Sequence, residues 1–145
     1  MSAGITVKPS ERYPRPTTTA AWLTLDAPVR ATTTITDVLT EADVGYAVTG
    51  QVAADHYAPW ARPDRTTIWT DRLVDLSAAG CTPAPADDAT VTIAVPDDPY
   101  ALIGTHQRDG IVLADPWRVW VTLTQDADTT AADHLQAKLL APGPA

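Results

Sequence analysis

The chain has no phenylalanine, one methionine and one cysteine in 145 residues. A lone Cys81 excludes an internal disulfide and leaves too few thiols for a cysteine-built metal site. Basic residues are few: ten Lys and Arg face eighteen Asp and Glu, a formal charge of −8. The deficit lies mainly after residue 50, where six basic residues face thirteen acidic ones. Such a body repels a phosphate backbone, so autonomous nucleic-acid binding is not expected. Long apolar runs are missing too. None approaches the ~18 residues of a membrane-spanning helix. The opening "MSAGITVKPSERYPRP" has no apolar core of signal-peptide type, and a cytoplasmic location is the expectation.

What remains is globular. Hydrophobic residues make up 45%, mostly Ala, Val and Leu, in a length suited to one domain. Without phenylalanine, large buried area is expected from Trp22, Trp60, Trp69, Trp117 and Trp120.

Residues 1–34 are rich in proline and threonine and read as an irregular arm. Within it, "AAWLTL" (20–25) suits a short strand or a helical turn, ended by Pro28. A helix is expected over 35–44, capped by Thr34, closed by Gly45 and buried through Val38, Leu39 and Ala42. "YAVT" (46–49) reads as a buried strand, Gly50 as a turn, and 51–58 as an alanine-packed helix ended by Pro59. After a loop over 59–65, "TTIWT" (66–70) reads as a strand. Asp71 and Gly80 bracket an expected helix over 72–79.

A loop over 82–89 leads to an alternating strand over 90–95, then a turn over 96–99. Asp109-Gly110 marks a hairpin between two strands within 100–115. Asp115-Pro116 has the form of a helix start, with Trp117, Trp120, Val121 and Leu123 on one face. Period-two spacing of Trp117, Val119, Val121 and Leu123 also suits a strand; the specific Asp-Pro start favours the helix. A last helix is expected over 131–140, capped by Thr130, with Ala132, Leu135 and Leu139 inward. Residues 141–145 read as a frayed tail. The fold class is α+β, a small mixed sheet flanked by helices.

Strand, glycine turn, helix and strand over 46–71 form a common frame for a nucleotide site. A P-loop needs a second glycine and a lysine, and Thr49-Gly50-Gln51 has neither. A nucleotidyltransferase core needs two carboxylates at i and i+2 on the following strand to hold divalent metal against a triphosphate. The strand "RTTIWTD" offers only Asp71, since Asp64 belongs to the loop before it. The core is therefore expected to be a degenerate, nucleotidyltransferase-like one, with no catalytic residue, no cofactor and no metal. Its divergent, nucleotide-binding alternative would need Asp71, Asp75 or Asp98 to converge on one ion. His56, His106 and His134 have no ligand spacing.

The segment "VGYAVTGQVAADHYAPW" resembles the Gly-x-x-Tyr-Ala-x-Thr-Gly-x-x-Ala-Ala stretch of AbiEi-type antitoxins from type IV toxin–antitoxin systems. "TIWTD", then "VTIAVPDDPYALIGTHQRDGIVLADPWRVWVTL", then "TAADHLQAKLL" follow in a matching order, so the resemblance spans roughly residues 35–140. It implies a C-terminal antitoxin domain that counters a nucleotidyltransferase-like toxin. Family members also carry an N-terminal winged helix-turn-helix that binds DNA. Residues 1–34 are too few for one, so the expected partner is a protein, either a toxin or a separate DNA-binding component. Thr49, Gly50, Gln51, Ala53, Ala54 and Asp71 are the motif positions that would contact a ligand or partner. Turn geometry at Gly50 and close packing at the two alanines are the favoured account of those residue types. A structural accessory role is the third reading of the chain.

Overall fold

The computed structural model of the chain describes residues 16–59, 62–98 and 100–141. Among these, seven strands form one mixed sheet: β1 (Pro16–Leu23), β2 (Tyr46–Thr49), β3 (Thr66–Thr70), β4 (Thr82–Pro83), β5 (Val91–Pro96), β6 (His106–Arg108) and β7 (Ile111–Leu113). Their spatial order is β4-β1-β5-β3-β2-β7-β6. β3 runs parallel to β5 and β2 parallel to β7, while the other neighbours are antiparallel. Four helices accompany the sheet: α1 (Pro28–Glu41), α2 (Gly50–Tyr57), α3 (Pro116–Gln125) and α4 (Thr129–Leu140). None is long and apolar enough to cross a membrane. The α+β expectation with a mixed sheet holds.

Ladder register builds the core. Val48 pairs with Ile68 and Leu113, and Ile68 pairs with Ile93. These four side chains form one row across the sheet, and each is fully buried. α1 covers this face through Ile35 and Leu39. Its first turn is pinned there by hydroxyls: Thr32 and Thr66 both donate to the Pro28 carbonyl, at 2.8 and 3.1 Å, and lie 3.2 Å from each other. Buried threonines fit here because each hydroxyl finds a partner.

Several expectations need correction. Residues 16–34 are not an irregular arm, because they hold β1 and the start of α1. The β-branched run Thr17–Thr19 suits a strand, and Pro16 stands at its first position, where its missing donor costs least. Pro28 starts a helix instead of ending an element, since its fixed φ and absent N–H suit the first helical turn. Thr34 is therefore not a cap. It lies mid-helix with its hydroxyl on the Arg30 carbonyl. Ala31, Thr32, Ile35, Thr36 and Leu39 form the buried stripe; Val38 is half-buried and Ala42 exposed. The left-handed residue after α1 is Asp43, not Gly45.

No helix spans 72–79. Asp75 accepts from both the backbone N–H and the hydroxyl of Ser77, and only a three-residue 3-10 turn, Ser77–Ala79, forms. That side chain offers the backbone a local alternative to the helical ladder, and the same two bonds hold its carboxyl below the usual range.

The later elements follow the sequence more closely. Asp109 and Gly110 both take positive φ between β6 and β7. Residues 116–124 are helical, and Asp115 caps them by accepting from the Trp117 N–H at 2.9 Å. The inward face is Val119, Thr122 and Leu123, whereas Trp117 is exposed. α4 begins two residues earlier than expected. Its cap is Asp128, which accepts from the Ala131 N–H, and not Thr130. Of the tryptophans, Trp22 is buried and Trp69 and Trp120 are half-buried; Trp60, residues 1–15 and the tail 142–145 lie outside the described residues.

α2 is fastened to the β6–β7 hairpin by Tyr57. Its hydroxyl donates to the Ala114 carbonyl at 2.6 Å, its ring meets the edge of His106, and the Arg108 guanidinium sits 5.0 Å above it. Burial pushes the Tyr57 pKa from the ordinary 10.0 up to about 12, so the fold holds the neutral phenol. That contribution is complete below pH 10.0 and is lost as pH rises through about 12. The thermal midpoint is therefore expected to fall more steeply across this window in the native chain than in Tyr57→Phe, as measured by calorimetry.

Candidate functional site

The β2–α2 junction gathers most of the motif residues. Thr49 ends β2 fully buried, and its hydroxyl lies 2.8 Å from that of Thr122 on α3. It projects from the side of β2 opposite Val48, so α3 reaches the sheet on the face away from α1. Gly50 opens α2 with φ +68. A Cβ placed there would lie 3.2 Å from Thr67 Oγ1 and 3.3 Å from Thr67 Cβ. Both the dihedral and the space require glycine. Ala53 and Ala54 are buried in the core, where α2 packs against β2, β3 and the helices α3 and α4.

Gln51 ties three parts of the chain together. Its amide nitrogen donates to Asp128 at 3.0 Å, and its carbonyl oxygen accepts from the Asp64 and Arg65 N–H groups at 2.8 and 3.3 Å. The loop before β3 is thereby fixed to the cap of α4. Replacing Gln51 by alanine removes all three bonds and is expected to lower stability by about 1–2 kcal/mol. Hydrogen exchange at the Asp64 and Arg65 amides should accelerate in that variant while exchange in β2 stays slow.

Beside Gln51 lies a shallow cleft of about 200 Å³, lined in part by Asp55, Arg62, Asp64 and Asp128. A neighbouring hollow adds Arg65 and Asp126. Asp126 still reaches solvent, yet surrounding protein holds its carboxyl above the usual range; Arg65 opposes this and Asp128 adds to it.

Asp71 is elsewhere. β2 and β3 are antiparallel, with Thr49 opposite Thr67 and Tyr46 opposite Thr70. Gly50 and Asp71 therefore sit at opposite ends of the pair, on the order of 15 Å apart at ~3.4 Å per residue. Asp71 Oδ2 accepts from the Gly45 N–H at 2.8 Å, and Oδ1 pairs with Arg72 at 3.1 Å. Arg72 also donates to the carbonyls of Ala42 and Asp43 at the end of α1. This carboxylate fastens α1 and β2 to β3.

The six motif positions thus fall into two groups. Thr49, Gly50, Gln51, Ala53 and Ala54 come together, and Asp71 does not join them. Asp75 and Asp98 are each held by their own neighbours: Asp75 by Ser77, Asp98 by the Tyr100 N–H and Arg118, both of which keep its carboxyl below the usual range. Among the described residues, no group of three or more His, Cys, Asp or Glu side chains is placed to hold a metal ion. Cys81 is buried, which raises its thiol pKa. Sequence reasoning left Asp64 in its loop and did not single out Asp128, because the glutamine that joins them is 13 and 77 residues away.

Comparison with family models, with curated proteins and with solved structures finds no match.

Proposed function

We propose that the chain is a non-catalytic, antitoxin-like module that works by binding a protein partner, either a toxin or a DNA-binding component of the same system. The order of its motifs, from "VGYAVTGQVAADHYAPW" to "TAADHLQAKLL", supports an AbiEi-type reading. In that reading the β2–α2–β3 segment is a nucleotidyltransferase-like core kept for its shape.

The observation that carries the proposal is how the motif turn is used. Thr49 bonds to Thr122, Gln51 bonds to Asp64, Arg65 and Asp128, and the space over Gly50 is taken by Thr67 and Thr122. These groups support the fold, and Asp71 stands at the far end of the hairpin doing the same at Gly45. Function then belongs to the surface. Co-expression with a toxin encoded beside this chain should relieve growth inhibition. No relief, with both proteins soluble and folded, would overturn the proposal.

The alternative is a divergent nucleotide-binding protein. Its favouring observation is the cleft beside Gln51, where Arg62, Asp64 and Asp128 line a hollow next to a glycine turn.

A further inference from the structure

α3 displays an aromatic residue that its own core does not use. Trp117, one residue past the proline that opens the helix, is 44% exposed. Its indole is steadied by edge contact with Trp120, ring centres 6.2 Å apart. The preceding turn lies along the same end of α3. Asp98 accepts from the Tyr100 N–H and from Arg118 on α3, at 2.9 and 3.0 Å. A Cβ at Gly104 would meet the Asp115 side chain at 3.4 Å. Between these ties stand Tyr100, 63% exposed, and Ile103, 59% exposed. The Asp98–Arg118 and Gly104–Asp115 approaches hold the two segments side by side, so three large exposed apolar side chains lie on adjoining stretches of surface. Such exposure marks a recognition feature, and Trp and Tyr are among the residues most enriched where binding energy concentrates.

Charge selects the occupant. The same region carries Asp97, Asp98 and Asp115 against Arg118 alone, and the whole chain is −8. A nucleic acid or an acidic peptide would be repelled. A basic segment would be steered in, and a guanidinium could stack on the indole face. We propose that Tyr100, Ile103 and Trp117 form a docking surface for a protein segment that interleaves Arg or Lys with apolar side chains. This rests on the reading that the chain works through a protein partner, and it names the chemistry of that partner.

The test is a titration of the ¹⁵N-labelled full chain, followed by amide shifts, with a synthetic amphipathic peptide of leucine and arginine. The same peptide with glutamate in place of arginine is the control. The cationic peptide should shift Tyr100, Ile103 and Trp117, weaken with added salt, and bind at least tenfold more weakly to Trp117→Ala. Ile103→Ser, a substitution at another exposed position, should weaken it as well. The proposal is overturned by equal binding of the acidic peptide, by shifts centred on the Gln51–Asp128 cleft, by an unchanged Kd in both variants, or by no binding. Growth rescue separates the two readings. Rescue that persists in the Trp117→Ala, Ile103→Ser double variant removes this surface alone. Absence of rescue by the native chain removes the antitoxin reading and leaves the titration result standing.

Discussion

Gly50→Ala is expected to lower the unfolding free energy by about 2–4 kcal/mol. Two costs add. An alanine at φ +68 carries left-handed strain of about 1–2 kcal/mol. Its methyl also lands 3.2–3.3 Å from the Thr67 side chain, with Thr122 Cγ2 at 3.8 Å behind it. Thr67 is held by its pairing with Thr49 and Thr92, so the sheet cannot yield freely. Gly80→Ala separates the two costs. Gly80 has φ +80 and open space within 4 Å, so it should show the strain and little else. Urea denaturation of the three proteins gives the comparison. Equal losses at the two glycines would mean that the close approach over Gly50 contributes nothing. A loss of several kcal/mol is a large share of a typical 5–15 kcal/mol domain stability.

Ile68→Ala should cost about 3–5 kcal/mol, the largest loss expected of a single truncation in the sheet. Ile68 is fully buried, with Val48 on one side and Ile93 on the other. Its neighbours belong to a continuous row that cannot collapse into the gap without shifting strand register. The cavity therefore stays largely open, and the cavity penalty adds to the lost transfer energy. Leu25→Ala is the matching control: Leu25 is 99% exposed, and its truncation should stay within about 0.5 kcal/mol. A change at Leu25 as large as that at Ile68 would mean that the described surface is covered by something in solution.

These two sites differ in how far the sequence announces them. The row through Ile68 is legible, because alternation in "TTIWT" and "TVTIAV" marks which side chains share a face. The Asp109-Gly110 hairpin and the Asp115-Pro116 start are legible for local reasons as well: each dipeptide specifies its own backbone. β1 and the first half of α1 are not. A run of threonines flanked by prolines reads as a loop until β5 supplies the pairing for β1 and Thr66 supplies a partner for Thr32. The helix expected over 72–79 fails for the opposite reason, since a local Asp75–Ser77 bond outcompetes propensity.

Strand order is set by distant pairings, such as β2 with β7, that no local pattern encodes. The site divides in the same way. Gly50 is visible as a turn residue, but the antiparallel relation of β2 and β3, which sends Asp71 to the far end, appears only in the folded chain. Trp117 shows the limit of aromatic patterning. Helical spacing groups it with Trp120, yet the face that packs is the one carrying Val119 and Leu123.

In the proposed reading, Thr49, Gly50 and Gln51 form scaffold and not a nucleotide site. Isothermal titration of the folded chain with Mg²⁺ and GTP, and then with Mg²⁺ and ATP, tests it most directly. No saturable heat is expected with either nucleotide at high protein concentration. Saturable binding that disappears in Gln51→Ala, with that variant still folded, would contradict it and place a nucleotide in the cleft beside the Gly50 turn.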